Sequence, residues 1–183
     1  YRMVTLYFLR ENVDIDNGGA VAGALEGLRV DFVPGSNHAL LNGEDVEAEI
    51  REPAVSGFVS PVAAISAVRR WVVPQQREMG KSGGIVMDGR DIGTVVFPDA
   101  DLKLFVTANM DVRTDRRLAE MKGKGIEATR EEVATNLATR DHIDSSREDS
   151  PLRQAEDAVV LDNSELSLEE FIEAGMMEVM KLS

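Results

Sequence analysis

The residues of this chain best suited to chemistry are arginines and carboxylates that recur at fixed spacings. One group is the run Asp88-Gly89-Arg90-Asp91-Ile92-Gly93-Thr94-Val95-Val96-Phe97-Pro98, in which an arginine and an aspartate stand between two glycines. Glycine lets a backbone come close to a charged ligand because it carries no Cβ. The same four residues D-G-R-D also describe a polar turn closed by an internal Arg-Asp pair. A second group, Thr139-Arg140-Asp141-His142-Ile143-Asp144-Ser145-Ser146-Arg147-Glu148-Asp149, spaces Arg140, Asp144 and Arg147 four and three residues apart. On a helix that spacing sets cation, anion and cation on one face. Arginine forks match phosphate oxygens two at a time, and an aspartate accepts from a ribose hydroxyl. A solvated face laced with ion pairs has the same pattern. A third group, Arg113, Arg116 and Arg117, is placed at the start of a helix, where anions are already favoured. Its plainer reading is an ordinary surface helix start.

Composition narrows what these groups can serve. The 183 residues carry a net charge of -13, with 43% apolar and 29% charged residues. A chain this acidic repels nucleic acid over its mean surface, so any bound anion must be held by local arginines. The content is sufficient for one substantial core. The apolar runs at 85–87 and 102–106 fall far short of the roughly 20 residues of a membrane span. Residues 1–10 have no basic n-region, unbroken apolar stretch or small-residue cleavage site, so secretion is unsupported. Zero cysteines exclude disulfides, thiolate nucleophiles and cysteine metal sites, and fit a reducing cytoplasm. The two histidines, His38 and His142, cannot build a metal cluster.

The elements that must position the arginines are readable in outline. Residues 1–11 read as the end of a helix, with Leu6, Leu9 and Val13 at helical spacing. From Leu28 to Asp45 the pattern alternates, turns at Pro34-Gly35-Ser36-Asn37, resumes at His38 and turns again at Asn42-Gly43. That predicts a small antiparallel hairpin unit inserted at about residues 26–56. A helical segment follows over Val62–Met79, interrupted or bent near Pro74, which lacks an amide hydrogen. The runs Gly84–Asp88, Leu102–Thr107 and Ala158–Asn163 read as buried strands. Thr129-Arg130-Glu131-Glu132 and Ser167-Leu168-Glu169-Glu170 fit capping boxes that start helices. In the last helix Leu168, Phe171, Ile172, Met176, Val179 and Met180 share a face. Strands alternating with helices imply a mostly parallel sheet covered on both sides, with ligands gathering past the strands' carboxyl ends.

In order and spacing, Tyr1-Arg2, Gly43-Glu44-Asp45-Val46-Glu47-Ala48-Glu49-Ile50-Arg51, Ser60 with Arg69, the run Asp88–Ala100, and Arg140-Asp141-x-x-Asp144-x-x-Arg147 resemble the bacterial cytidylate kinases. The resemblance covers roughly residues 1–182, and the long D-G-R-D-x-G-T-V-V-F-P-D-A run carries most of its specificity. It implies an α/β fold of the P-loop nucleoside monophosphate kinase type, a parallel sheet flanked by helices with a small antiparallel β insert and a helical lid. The expected layout is one kinase domain with core segments 1–25, 57–110 and 155–183, a monophosphate-binding insert at about 26–56 and a lid at about 111–150.

Carried over position by position, the resemblance implies that Arg2, Arg90 and Arg147 grip the phosphate of CMP. Ser60, Arg69 and Asp91 would read the cytosine edge. Asp144, with Arg140 nearby, matches the ribose and lid positions. Arg90, Arg147 and Arg140 would be the catalytic arginines, and Arg113, Arg116 and Arg117 would face ATP. Tyr1 is read either as packing beside the nucleotide or as a plain core tyrosine. Phosphoryl transfer onto an acceptor already ionised needs alignment and charge neutralisation, supplied by Mg2+ and arginines, and no catalytic base. His142 is accordingly a lid surface residue and His38 a strand or turn residue. The implied partners are CMP, dCMP and ATP acting on a cytoplasmic monomer, with no nucleic acid, membrane or protein-held metal.

The chain departs from the family at its start, since it has no G-x-x-x-x-G-K-[ST] phosphate loop. Gly80-Lys81-Ser82 supplies the last three letters only, because Gln75 stands where the first glycine belongs, and the segment precedes a strand. The expectation is a longer parent protein in which a strand, loop and helix of roughly 35 to 40 residues precede Tyr1. That strand would lie between those assigned to Ile85–Met87 and Leu102–Val106, leaving two edges unpaired. The other readings are a nucleotide-binding fragment without catalysis and a sibling kinase acting on UMP, AMP or dTMP.

Overall fold

The computed structural model of the chain describes residues 1–33, 36 and 38–182, so most of the turn expected at Pro34-Gly35-Ser36-Asn37 lies outside the described residues. The fold comprises two compact units, Tyr1–Ile85 with Arg147–Asp149, and Val86–Ser146 with Ser150–Ser183.

The first unit begins with helix α1, Arg2–Arg10, which buries Met3, Val4, Leu6 and Phe8. Apolar residues on more than one face suit a helix surrounded by others. It packs with α2 (Gly18–Glu26), α3 (Pro53–Ala64) and α4 (Ser66–Gly80) around Val21, Leu25, Val55, Val62, Val68 and Val72. Asn17 starts α2 by accepting from the amides of Gly19 and Ala20. Between α2 and α3 lies the expected antiparallel unit, with β1 (Val30–Phe32) paired to β2 (Ala39–Leu41) and β2 to β3 (Glu44–Asp45). Asn42 and Gly43 have φ of 51 and 88, the two positive angles a tight hairpin turn needs. Arg10 fastens α1 to this unit with paired bonds to Glu44 at 2.8 and 3.0 Å and to Glu49 at 2.9 and 2.8 Å.

The break in the helical segment falls at Ile65, whose ψ of 116 is extended, and not at Pro74. Pro74 lies within α4, as Pro61 lies within α3. A proline interior to a helix removes one bond of the ladder, and here the remaining ladder and a buried face, Val68, Arg69 and Val72, sustain the helix around it.

The second unit holds one parallel pair, β4 (Leu104–Thr107) with β5 (Val159–Asp162), in the register Leu104 to Val159 and Thr107 to Asp162. Helices α5 (Met110–Gly123) and α6 (Arg130–Ser146) lie between these strands in sequence, and α7 (Leu168–Met180) follows them. Both capping boxes form: Glu132 bonds back to the Thr129 amide at 2.8 Å, and Glu170 to the Ser167 amide at 2.8 Å. Two expectations of burial fail. Residues 85–87 pair with no strand among those described, and Ile85 and Val86 are exposed. An extended segment becomes a strand only when a neighbour completes its ladder. Val106 and Val160 are about half exposed, so the sheet is not covered on both sides by the described residues. Helix α7 buries none of its residues, so its apolar stripe is formed as read but left in solvent.

Two outcomes follow from the hairpin unit. Gly43→Ala meets no atom within 4 Å, so only its positive φ is penalised; a loss of about 1 kcal/mol, read as a lower urea midpoint, is expected. His38 Nδ1 and Asp45 Oδ2 lie 2.8 Å apart, and the hydrogen bond raises the imidazole above its ordinary 6.5 and lowers the carboxyl below 3.8. The imidazolium's contribution is complete below 6.5 and lost as pH rises through its raised value. The carboxylate's is complete above 3.8 and lost as pH falls through its lowered value. An NMR titration of the His38 ring is expected to give a midpoint above 6.5 that returns toward it in Asp45→Asn.

Candidate functional site

The D-G-R-D run leads into a π-helical turn, Ile92–Val96, closed by Val96 N to Asp91 O at 3.2 Å and Phe97 N to Ile92 O at 2.7 Å. Turns of this width are rare and frequent at functional sites. Two glycines permit it. A Cβ on Gly89 would stand 2.8 Å from the Ile92 side chain, and one on Gly93 would stand 3.1 Å from the stem of Lys103. Lys103 is itself fixed: its ammonium donates to the Pro98 carbonyl and to both Asp157 oxygens at 2.7 and 2.9 Å. That bond holds the Asp157 carboxyl below the usual carboxylate range. The lysine thus ties the end of the turn to the segment entering β5.

Asp91 is buried at 4% exposure. Arg90, beside it, donates from Nε to Asp144 Oδ2 at 2.9 Å, across 54 residues of sequence. Asp144 lies in the last turn of α6 and is 3% exposed, and Arg147, one residue past the helix, is 8% exposed. These values remove the reading of the second cluster as a solvated face. Leu152 N bonds the Asp144 carbonyl at 2.7 Å and draws the following chain back to the helix end. His142, by contrast, stands exposed on α6, as expected of a surface residue.

In the first unit Arg2 donates from Nη1 to the Ile50 carbonyl at 2.9 Å and to Ser56 Oγ at 3.0 Å. Ser60 and Arg69 are buried at 3% and 2%. The Arg69 guanidinium lies over the Tyr1 ring, 5.4 Å from its centroid, donates to the Ala63 carbonyl at 3.2 Å and sits 3.6 Å from Asp149. Tyr1 is therefore a platform for a buried cation, a role that neither reading of it included.

The three arginines of α5 do not converge. Arg113 forks onto Asp141 of α6 at 2.6 and 2.9 Å, which raises its pKa further. Arg116 donates to Asn163 Oδ1, the Asn163 carbonyl and the Leu166 carbonyl. Arg117 pairs with Glu120 at 2.6 Å. The helix N-terminus they were assigned to is capped by Asn109, whose side chain accepts from Val112 N at 2.9 Å. No group of three or more His, Cys, Asp or Glu side chains among the described residues is arranged to hold a metal ion.

Sequence reading missed three residues: Ser56 beside Arg2, Lys103 beside the π-helical turn and Asp149 beside Arg69. Ser56 had a signal, since it precedes Ser60 by one helical turn in an otherwise apolar helix. Lys103 had one too, as the lone cation of the apolar run Leu102–Val106. Asp149 had none, because its contact with Arg69 spans 80 residues without a pattern.

The cytidylate kinase family model matches residues 1–181. Among similar proteins, the cytidylate kinase of Parabacteroides distasonis is 52% identical over 177 residues, covering 93% of this chain and 77% of that protein. That of Bacteroides fragilis is 48% identical over 188 residues, covering 99% and 82%. That of Lactiplantibacillus plantarum is 43% identical over 176 residues, covering 95% and 77%. The D-G-R-D turn, its buried partner Asp144 and this likeness along nearly the whole chain agree: the chain belongs to the cytidylate kinase family.

Proposed function

We propose that the protein transfers the γ-phosphoryl group of ATP to CMP or dCMP, yielding ADP and CDP or dCDP. The bond between the γ-phosphorus and its bridging oxygen breaks, and a bond to an oxygen of the acceptor phosphate forms. The observation that carries this is the pairing of Arg90 with the buried Asp144, which joins the two arginine-carboxylate clusters of the sequence. Arg2, Arg90 and Arg147 hold the acceptor phosphate; Arg90, Arg147 and Arg140 neutralise charge as the phosphoryl group moves. Ser60, Arg69 and Asp91 read cytosine, whose exocyclic amine needs an acceptor and whose O2 and N3 need donors. Asp144 accepts from the ribose. Arg113, Arg116 and Arg117 belong to the ATP side.

The family implies Mg2+, which when bound would help neutralise the nucleotide phosphate oxygens beside the arginines. The family implies the P-loop nucleoside monophosphate kinase fold. Within it, residues 26–56 form the monophosphate-binding insert, 111–150 the lid, and 1–25, 57–110 and 155–183 the core. The lid helices are fastened to each other by Arg113 on Asp141 and by Arg130 on Asp111 and Asp115. No helix among the described residues is long and apolar enough to cross a membrane. The proposed setting is the cytoplasm, as a monomer acting on free nucleotides.

ADP release measured with CMP, dCMP, UMP and AMP as acceptors is the test. CMP and dCMP are expected to lead; equal use of UMP or AMP would assign a sibling activity, and CMP binding with no ADP release would leave a binding protein. Arg90→Ala is expected to lower CMP phosphorylation about 100-fold, and Arg147→Ala similarly, by analogy with loss of one charge-stabilising donor. In calorimetry Arg2→Ala is expected to weaken CMP while leaving cytidine unchanged.

A further inference from the structure

Arg69 of α4 is 2% exposed, the lowest value of any charged residue described. A guanidinium keeps its proton at any ordinary pH, so its burial leaves a fixed charge whose orientation is set by whatever surrounds it. The Ala63 carbonyl accepts from Nη1 at 3.2 Å, and the Tyr1 ring lies under the plane with its centroid 5.4 Å from Cζ. Both are neutral groups. One opposite charge beside the guanidinium is that of Asp149, whose Oδ1 lies 3.6 Å from Nε. Asp149 lies in Arg147–Asp149, the short segment that packs with the first unit although its neighbours on either side belong to the second.

We propose that Asp149 is a positioning residue for base selection: its carboxylate holds the buried Arg69 fork in the one orientation that meets the acceptor edge of cytosine. This rests on Arg69 as a base-reading residue. Cytosine offers acceptors at both O2 and N3, whereas uracil carries a proton on N3. A fork held in one plane rejects that proton; a loosened fork turns away and accommodates it. Asp149 therefore governs the preference for CMP over UMP more than nucleotide binding as such.

The experiment measures dissociation constants of CMP and UMP by calorimetry on the whole chain and on Asp149→Asn, Asp149→Glu and Arg69→Ala, each checked by its thermal melt. Asp149→Asn is expected to weaken CMP about tenfold, as loss of a partly exposed charge beside a buried one does, with UMP almost unchanged. Asp149→Glu keeps the charge and is expected to recover most of the CMP:UMP ratio. Asp149 is 35% exposed on its side chain, so Asp149→Ser serves as a second neutral variant whose ratio must also fall. Equal weakening of both nucleotides, no change, or tighter CMP binding in the neutral variants overturns the proposal. If Arg69→Ala collapses the ratio and Asp149→Asn does not, only the proposal fails. If Arg69→Ala leaves the ratio intact, the reading of Arg69 itself fails.

Discussion

The bond from Arg90 to Asp144 is the contact on which the candidate chemistry depends. Asp144 stands in the last turn of α6, where the helix presents the negative end of its dipole. A buried carboxylate there is unfavourable on two counts, desolvation and dipole. Arg90 offsets both, because it brings a fixed positive charge from a segment 54 residues away. The arginine also gains, since the turn that carries it has a polar anchor on a regular helix.

The same logic extends over a chain with net charge -13. Its arginines are rationed into local contacts with carboxylates and carbonyls: Arg10 with Glu44 and Glu49, Arg51 with Glu47, Arg113 with Asp141, Arg130 with Asp111 and Asp115. Most of these are exposed pairs that contribute little to stability. The buried ones are different in kind, because Arg69, Arg147, Asp91 and Asp144 are themselves withdrawn from water. Positive potential is thereby confined to a few places, and the mean surface stays hostile to polyanions.

What could be read from sequence was what depends on neighbours in sequence. The helix starts at Thr129 and Ser167 were legible because a capping box is a local bargain between residues three apart. So was the Asn42-Gly43 turn, whose backbone angles few other residue pairs accept. Pro74 does not interrupt α4: local reasoning sees a missing amide and not the buried face that carries the helix past it. Ile85 and Val86 misled, since apolar character promises a strand but only a partner delivers one. In the site, the family pattern supplied Arg90 and Asp144 as separate residues, and their mutual bond emerged from the fold. Ser56, Lys103 and Asp149 act on other side chains and so leave weak traces or none in spacing.

The π-helical turn after Asp91 has a consequence for how this stretch of chain can vary. Each residue of a regular helix advances about 100° around the axis, so removing one residue from 92–96 would tighten the turn and rotate everything beyond it by that amount. Arg90 and Asp91 would then face away from the chain leading to Pro98 and Lys103 by a quarter of a circle. Substitution at Thr94 or Val95 alters a side chain, whereas deletion shifts the reading frame of the geometry itself. The length of this run is thus a tighter constraint than its composition.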